Sequence, residues 1–353
     1  MKLADVIDEL VEERGLDKTS LGSIVCEGMV AAYQRKYPDL ILKIKEDSLT
    51  GDLVVLVQKT VVNSVEDEFA QISLKKARNI DKNVALDDQL WLPFEGKIGR
   101  VEVLRARQVI ASRIKQVEAQ VVYNQFKDKK GQIIIGTVHK IERNGVSVKF
   151  GDVYAFLPYS FAIPHEKFVV GYTIRALLKE VLIEPQGDNQ LILDRISAEF
   201  LEALFTLEIP EVFEKLVEIK KIVRAPGYKS KVAVFSHDRN IDPVGTCVGV
   251  GGSRIKPILK ELGGETVDVF LWSETLSLFV KNSLKPAAID RVELSSDNAI
   301  ARVWLNEDQR PFAIGKNGQN ILLASQITGV NIQLIREELP KKDNPDNDEV
   351  LIN

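Results

Sequence analysis

A chain of 353 residues, 45% of them hydrophobic, is longer than one small core requires, and ordinary domain sizes indicate two to four folded domains. The 47 basic and 51 acidic residues give a formal net charge of -4, which is unusual for a nucleic-acid binder that relies on counterion release. Any nucleic-acid binding should therefore be modest in affinity and local in its charge.

Three features argue against other classes of protein. Cys26 and Cys247 lie far apart and in no Cys-x-x-Cys pattern, which disfavours a disulfide framework or zinc site and favours a reducing cytoplasm. Residues 1–13 lack the basic and apolar regions of a signal peptide, and no run of about 18 apolar residues occurs, so we expect neither export nor membrane insertion. No nucleophile or metal cluster accompanies the three histidines, so we expect no enzyme, no metal and no cofactor: His139, His165 and His237.

The first third of the chain predicts a mixed α/β domain, residues 1–127. Its first elements are two helices and then a β-hairpin around the turn Thr50-Gly51, over residues 4–13, 21–37, 40–45 and 53–58. A long amphipathic helix follows over residues 99–127, with apolar residues at spacings of three and four: Val103, Ala106, Ile110, Ile114, Val117 and Val121. Such a helix could pack on its own domain, serve as a rigid spacer or bind a partner, and the periodicity does not decide between these roles.

Residues 131–198 predict a small β-barrel, because closely spaced strands alternate with glycine turns. The strand patterns cover residues 136–138, 145–150, 154–158, 171–178 and 191–193. Their order of Gly-x-Val, Gly-Val-x-Val, Leu-Pro-x-Ser and Val-Gly-x-x-Ile resembles the S1 type of OB barrel. Aromatic residues of such a barrel can stack bases, although each one taken singly fits a core position better: Phe150, Tyr154, Phe156 and Tyr159. Lys140 and Arg143 are candidates for phosphate contact.

A supersecondary unit then occurs twice in the sequence. The loops Gly249-Val250-Gly251-Gly252 and Gly315-Lys316-Asn317-Gly318 begin 66 residues apart, at positions 249 and 315, and each separates a short helical pattern from a longer one that leads to a strand. Asp242-Pro243 and Asp308 predict the starts of the short helices, because an acid at such a position accepts free backbone N–H groups. The longer helices carry apolar positions at helical spacing: Ile255, Ile258, Leu259 and Leu262, then Ile321, Leu322 and Ser325. Hairpins precede both units, over residues 218–224 with 231–235 and 290–294 with 300–305.

This order of helix, hairpin, two helices around Gly-x-x-Gly and strand resembles the type II KH domain, twice in tandem, over residues 199–278 and 279–340. Glycines allow close approach of a nucleic-acid backbone, and the N-terminus of the next helix presents N–H groups and a partial positive charge. A loop of this kind clamps about four nucleotides of a single strand.

The two loops differ as RNA-binding candidates. The second loop supplies a cation and amide groups and is the stronger candidate, with the site residues Gly315, Lys316, Asn317, Gly318, Gln319 and Asn320. The first loop has no cation between its glycines, so its attraction for phosphate must come from residues just downstream. Its candidates are Gly249, Val250, Gly251, Gly252, Arg254 and Lys256.

Together these elements predict a multidomain α+β fold: an α/β N-terminal domain with a long helix, an S1-type OB β-barrel and two tandem type II KH domains. That order resembles the NusA family of bacterial transcription termination and antitermination proteins. The stretches that carry the resemblance are residues 27–37, 242–249, 261–265 and 313–320. It covers about residues 1–340, and the short acidic tail, residues 341–353, is predicted to be disordered.

The resemblance implies an elongation factor whose N-terminal domain binds core RNA polymerase near the RNA exit channel and whose S1 and KH domains guide single-stranded nascent RNA. Such a factor prolongs pauses, favours hairpin folding at intrinsic terminators and joins antitermination complexes with other factors. We expect a cytoplasmic monomer. The first Gly-x-x-Gly loop departs from the family pattern, because it lacks the basic residue expected there.

Two alternatives remain open on the sequence. Exoribonucleases such as polynucleotide phosphorylase also combine KH and S1 domains, but in the order KH then S1 and with two large catalytic cores that this chain has no room for. A ribosome-associated or RNA-processing protein could use the same domains without touching polymerase. Only residues 1–125 discriminate between this alternative and a transcription factor.

Overall fold

The computed structural model of the protein describes residues 18–46, 53–186 and 189–336, and the chain divides into two units, residues 1–125 and 126–353. Three predictions lie outside the described residues: the helix over residues 4–13, the turn at Thr50-Gly51 and the disordered tail over residues 341–353.

The described residues of the first unit form a four-stranded sheet and three helices. In chain order its elements are α1 (Lys18–Lys36), β1 (Leu42–Glu46), β2 (Leu53–Val62), β3 (Gln71–Ser73), α2 (Leu74–Ile80), β4 (Gln89–Pro93) and α3 (Arg100–Phe126). Strand β2 pairs antiparallel with β1 and β4 and parallel with β3. The predicted hairpin and the predicted helix over residues 21–37 are confirmed to within a few residues.

The long helix α3 packs on its own domain along its middle. Ile110, Ile114 and Val117 contact a cluster around Leu21 and Val25 of α1. The two helices approach closely at Gly28, where an added Cβ would lie 2.3 Å from the Ile110 side chain. The outer apolar positions behave differently, because Val103 and Val121 remain 51% and 53% exposed. The intradomain role therefore holds for the middle of the helix only.

A closed five-stranded barrel begins the second unit. Its strands are β5 (Ile133–Ile141), β6 (Gly145–Phe150), β7 (Val153–Pro158), β8 (Thr173–Gln186) and β9 (Asn189–Asp194). They pair around the barrel in the order β5-β6-β7-β9-β8, with β8 returning to β5, and β7 and β9 run parallel. This order is that of a five-stranded Greek-key OB barrel. The predicted barrel is thus confirmed, with β8 longer than its sequence pattern indicated.

Two similar α/β layers follow the barrel. The first repeat, residues 198–271, contains α4 (Ala198–Glu208), α5 (Pro210–Phe213), β10 (Glu218–Ala225), β11 (Lys229–Phe235), α6 (Pro243–Val248), α7 (Ile255–Glu261) and β12 (Thr266–Leu271). The second repeat, residues 276–336, contains α8 (Leu276–Ser283), β13 (Arg291–Leu294), β14 (Ile300–Leu305), α9 (Arg310–Ile314), α10 (Gln319–Thr328) and β15 (Asn331–Arg336). In each sheet the hairpin is antiparallel and the last strand joins it in parallel, as β11 with β12 and β14 with β15.

Two details of the predicted repeats need correction. The boundary between residues 278 and 279 falls inside α8, which begins at Leu276. Asp242 does cap α6, since its carboxylate accepts the backbone N–H of Val244 at 3.1 Å, but Asp308 caps no helix. Asp308 lies inside a 3-10 turn and its carboxylate accepts from the Gln309 side chain, while α9 begins two residues later with a proline in its first turn.

The inner face of α10 was also predicted incorrectly, because Leu322 is 49% exposed. The buried side chains of α10 are Asn320, Leu323, Ala324, Ile327 and Thr328. Neighbours on two sides explain this rotation: α10 covers its own sheet, and its Ile327 joins Ala233 and Phe270 of the first repeat in a shared apolar cluster. The hydrophobic periodicity of a helix does not show that a second domain packs against it.

Buried arginines join the barrel to the first repeat. The guanidinium of Arg195, 2% exposed, donates to the carboxylates of Glu166 and Glu261 and to the backbone carbonyl of Arg175. Arg224 forms a two-pronged pair with Glu265, at 2.8 and 2.9 Å, and also donates to the Arg195 carbonyl at 2.7 Å. Breaking such a buried pair is strongly destabilising, because an uncompensated charge remains inside the protein.

Candidate nucleic-acid interface

The two Gly-x-x-Gly loops have the same backbone. Gly249 and Gly315 have φ/ψ values of 74/166° and 72/174°, and the third loop residues, Gly251 and Asn317, have 59/22° and 55/25°. Asparagine is one of the few residues with a side chain that adopts this left-handed conformation readily, which is why it can stand where the first loop has glycine. The repeat seen in the sequence is therefore a repeat of loop geometry.

The first glycine of each loop is required for a second reason besides its positive φ. A Cβ on Gly249 would lie 2.7 Å from Ser253 Oγ and 3.0 Å from the backbone nitrogen of Arg254. A Cβ on Gly315 would lie 2.7 Å from Asn320 Cβ. The loop consequently packs tightly against the start of the following helix, and its glycines leave room for close approach of a sugar-phosphate chain.

The second loop presents polar side chains to solvent. Lys316 and Asn317 are exposed, Gln319 is half-buried, and in the described part of the chain the Lys316 ammonium has no ion-pair partner. A cation that is free in the protein and adjacent to a helix N-terminus is well placed to meet a phosphate. Lys316 and Asn317 therefore keep the position that the sequence predicted for RNA contact.

Asn320 does not fit the predicted role in RNA contact. It is 2% exposed, and its Nδ2 donates to the carbonyls of Leu284, Phe312 and Ala313 at 3.1 to 3.2 Å. These bonds tie α8, α9 and α10 together beneath the loop. The sequence prediction failed because an exposed amide and a buried amide look alike in a loop motif, so we remove Asn320 from the candidate contact surface.

The first loop presents different chemistry on the same backbone. Val250 at its tip is 96% exposed. The Arg254 guanidinium is held by Glu211 at 2.8 Å and by the Thr246 carbonyl at 3.0 Å, so much of its charge is already engaged. Lys256 is exposed and, among the described residues, has no ion-pair partner. Of the two residues proposed to attract phosphate here, only Lys256 keeps a free cation.

The turn of the first repeat meets the loop of the second repeat. The Tyr228 hydroxyl donates to the backbone carbonyl of Lys316 at 3.2 Å. Beside this bond lies a polar pocket of about 320 Å³, lined by Gly227, Tyr228, Lys229, Gly264, Thr266, Gly315, Lys316, Gln319 and Asn320. The hydrogen bond therefore joins the turn of the first repeat directly to the backbone of the second loop.

The barrel carries a smaller candidate site. Arg143 lies exposed in the turn between β5 and β6 and lines a pocket of about 310 Å³ with Phe156, Asn144 and Asn189. The strand-connecting loops and neighbouring face of an OB barrel are where oligonucleotides bind. Lys140 is exposed as well, but its ammonium lies 3.6 Å from the Glu142 carboxylate. Arg143 and Lys140 thus remain predictions, with Arg143 in the more favourable place.

The predicted aromatic residues of the barrel divide between interior packing and exposure. Phe150 packs edge-on against Phe126, with ring centroids 5.6 Å apart. Tyr154 is half-buried beside His139, and Phe156 is half-buried in the wall of the Arg143 pocket. Tyr159 is 44% exposed. Phe156 and Tyr159 are accordingly the rings that remain available for stacking.

Two buried ionisable groups lie behind the loops. Burial lowers the pKa of Lys231 to about 8, although the Asp268 carboxylate at 3.0 Å acts in the opposite direction. Lys231 also donates to the Lys285 carbonyl of the second repeat at 3.3 Å. Burial raises the pKa of the Cys247 thiol to about 12. Such a thiol stays protonated at neutral pH and is a poor nucleophile.

Sequence reasoning missed two residues of this surface. Tyr228 lies in the turn between β10 and β11, and its bond to the other repeat depends on tertiary structure. Phe312 is 55% exposed on α9, immediately before the second loop. An exposed phenylalanine beside a polar loop is a signal for base stacking, but the five-residue helix is too short for periodicity to separate an exposed ring from a buried one.

Among the described residues, no group of three His, Cys, Asp or Glu side chains could hold a metal ion. No helix in the described part of the chain is long and apolar enough to cross a membrane.

Comparison with known families now identifies the parts. The NusA N-terminal domain matches residues 2–120, the NusA-like first KH domain matches residues 195–272, and the NusA-like second KH domain matches residues 276–342. The repeats described above are therefore KH domains, as their order of elements predicted.

Relatives match over nearly the whole chain, and each is named "Transcription termination/antitermination protein NusA". The Thermus thermophilus protein is 35% identical, over 97% of this chain and 92% of its own length. The Rickettsia conorii protein is 36% identical, over 97% of this chain and 69% of its own length. The Bacillus subtilis protein is 30% identical, over 95% of this chain and 91% of its own length. On these matches and on the family models for its domains, the chain belongs to the NusA family of transcription termination/antitermination proteins.

Proposed function

We propose that this protein is a transcription elongation factor that binds core RNA polymerase through residues 1–127 and single-stranded nascent RNA through its S1-type barrel, residues 131–198, and its KH domains. In this role it modulates pausing, intrinsic termination and antitermination in the cytoplasm, as a monomer that joins other antitermination factors. Family membership supports the role in transcription. The names of the relatives support the roles in termination and antitermination.

One observation supports the RNA-guiding part most directly. The second Gly-x-x-Gly loop combines a glycine backbone that allows close approach, a helix that begins at Gln319 and an exposed Lys316 with no ion-pair partner in the described residues. Phosphate groups are attracted by all three features, and none of them depends on base identity. The first loop offers the same backbone with less charge, so it is a secondary contact.

A fragment experiment tests the polymerase part. Residues 1–125 and residues 126–353, the two units of the fold, are each tested for retention by immobilised core RNA polymerase. We expect retention of the first fragment and RNA binding by the second. Failure of the first fragment to bind polymerase, with RNA binding intact in the second and co-sedimentation with ribosomes, would point to ribosome-associated or RNA-processing work instead.

A substitution tests the RNA part. Lys316→Asp with Asn317→Asp places acids against phosphate at the start of α10, so RNA affinity should fall in a filter-binding titration at fixed salt. Both positions are exposed loop residues, so the fold should persist. Lys281→Asp with Asn298→Asp changes the total charge equally at exposed positions outside the loop and should leave RNA affinity nearly unchanged. Equal affinity of the loop variant and the unmodified protein would remove this loop from the contact surface.

A further inference from the structure

The lining of one large groove in the second unit includes no residue of either Gly-x-x-Gly loop. The groove has a volume of about 860 Å³ and runs between the first residues of β5 in the barrel and the outer face of α4 with α5. This volume is in the range of ligand pockets and equals several side chains. Nothing in the proposed RNA path uses this groove.

Apolar side chains form the floor of the groove. Leu207 is 53% exposed and Phe213 is 71% exposed, and Ala203 and Pro210 lie between them in the wall. Monomeric proteins seldom leave adjoining large apolar side chains this open without a function. The opposite face of α4 is fixed, because Phe200, Leu201, Leu204 and Phe205 are fully buried in the core of the first repeat. The groove is therefore preformed on a rigid base.

The rim of the groove is acidic. Glu199, Glu202 and Glu208 line it, and none of the described residues that line it is Lys or Arg. Glu208 is held by Arg175 at 2.5 Å, while Glu199 and Glu202 are exposed and have no ion-pair partner in the described part of the chain. Two free carboxylates one helical turn apart repel phosphate and attract cations.

We propose that this groove is the docking site for a basic amphipathic helix of a protein partner. Apolar residues at i, i+3, i+4 and i+7 of such a helix would cover Leu207 and Phe213, while its Lys or Arg residues meet Glu199 and Glu202. Other occupants fit the charge less well. Nucleic acid brings phosphates to an acidic rim, and residues 337–353 of this chain contain six acids and two bases.

Fluorescence anisotropy with the full chain tests the proposal. The probe is a labelled 14-residue peptide of Leu and Lys, with Leu at i, i+3, i+4 and i+7, and the reference probe is its scrambled sequence, which keeps the charge and loses the apolar stripe. We expect the patterned peptide to bind more tightly than the scramble. Glu199→Lys with Glu202→Lys should weaken its binding roughly tenfold, because two attractive charges become repulsive. Leu207→Ser, at an exposed position, should weaken it about fivefold by removing apolar contact area.

The matched control is Glu184→Lys with Glu274→Lys, which reverses two exposed acids outside the groove and should leave the affinity within about twofold. Equal weakening by this control, or equal binding of the scramble, would overturn the proposal, since the peptide would then report only net charge. Displacement of the peptide by single-stranded RNA, with lower RNA affinity in the groove variants, would assign the groove to RNA. Self-association of the protein that Leu207→Ser abolishes would assign it to a second copy. None of these outcomes depends on polymerase or RNA binding by the remaining surfaces.

Discussion

The two Gly-x-x-Gly loops share a backbone and differ in almost every side chain that backbone displays. The tip residue is Val250 in the first loop and Lys316 in the second, and the third residue is Gly251 in one and Asn317 in the other. The sixth position is Arg254, paired with Glu211, in the first copy and the buried Asn320 in the second. The glycines and the space around them determine the geometry of the loop, whereas the exposed side chains determine how strongly it attracts phosphate. The same motif can therefore form contacts of two different strengths.

The sheets of the two repeats differ in the same way. The third pair of the parallel ladder is Lys231 with Asp268 in the first repeat and Arg302 with Gln333 in the second. Helices α8 and α10 of the second repeat cover the first sheet, so Lys231 is fully buried, whereas Arg302 is exposed. The tandem arrangement thus makes equivalent positions differ, because the second repeat covers the sheet that holds Lys231, whereas Arg302 on the other sheet is exposed.

The largest effect is expected from a Cβ at the first glycine of the second loop. Gly315→Ala meets Asn320 Cβ at 2.7 Å and imposes a side chain at φ +72°. We expect the free energy of unfolding to fall by about 3 kcal/mol, as strain and overpacking add. RNA affinity should fall roughly tenfold, the loss of about one backbone hydrogen bond to phosphate. Urea unfolding and filter binding measure the two effects.

Gly318→Ala provides the control for strain alone. Gly318 has the same φ of +72° but nothing within 4 Å of an added Cβ. Its free energy of unfolding should fall by only about 1 kcal/mol. If both variants lose stability equally, close packing against Asn320 is not what requires glycine at position 315.

Exchanging the tip residues tests whether the tip side chain alone explains the expected difference in RNA affinity between the two loops. Lys316→Val should weaken RNA binding about fivefold and reduce the salt dependence by about one ion, because one phosphate contact is lost. Val250→Lys should strengthen binding about threefold, since the first loop already has the required backbone. Titrations at several salt concentrations measure both slopes. No gain from Val250→Lys would show that the first loop lies outside the path of the RNA.

Local sequence signals predicted the barrel strands, the hairpins and the two Gly-x-x-Gly loops correctly, for identifiable reasons, whereas β3, α2 and β4 of the first unit were not predicted. The barrel strands, the hairpins and the Asp242 cap depend on alternation, turn residues and one side chain near its own backbone. The error at Leu322 arises because α10 touches two sheets rather than one. The error at Asn320 arises because its amide is bonded to three carbonyls beneath the loop instead of facing solvent. Tyr228 and the groove beside α4 were not foreseen for the same reason: each requires knowledge of which surfaces meet or remain uncovered.

The burial of Lys231 allows the difference between the two sheets to be measured through the pH dependence of stability. The pKa of Lys231 is lowered to about 8 from an ordinary 10.5, so above pH 8 the folded protein binds fewer protons than the unfolded chain. Stability therefore rises with pH from about 8 towards 10.5, by at most about 1 kcal/mol per pH unit from this group. The Cys247 thiol acts oppositely above its ordinary pKa of 9, because its folded pKa is about 12. The clearest window is pH 8 to 9.

Lys231→Met should abolish the rise in that window, measured as the difference in urea unfolding from the unmodified protein. Asp268 keeps a partner in this variant, because Lys229 lies 2.7 Å from its carboxylate. Arg302→Met, at the equivalent exposed position of the second repeat, should leave the pH dependence unchanged. An unaltered slope in Lys231→Met would mean that the protonated lysine is not penalised by its burial between the repeats.

The smallest effect is expected where the two repeats touch through one hydroxyl. Tyr228→Phe removes the bond to the Lys316 carbonyl and keeps the ring, so the second loop should loosen without loss of fold. One hydrogen bond at an exposed position contributes about 0.6 kcal/mol, so RNA affinity should fall no more than about threefold. Amide hydrogen exchange at Asn317 and Gly318 should quicken, whereas exchange at the matching Gly251 and Gly252 should not. Tyr172→Phe, at a 68% exposed tyrosine of the barrel, is the control. Faster exchange in both loops would indicate general loosening of the second unit, while faster exchange in the second loop alone would show that Tyr228 holds that loop in position for RNA.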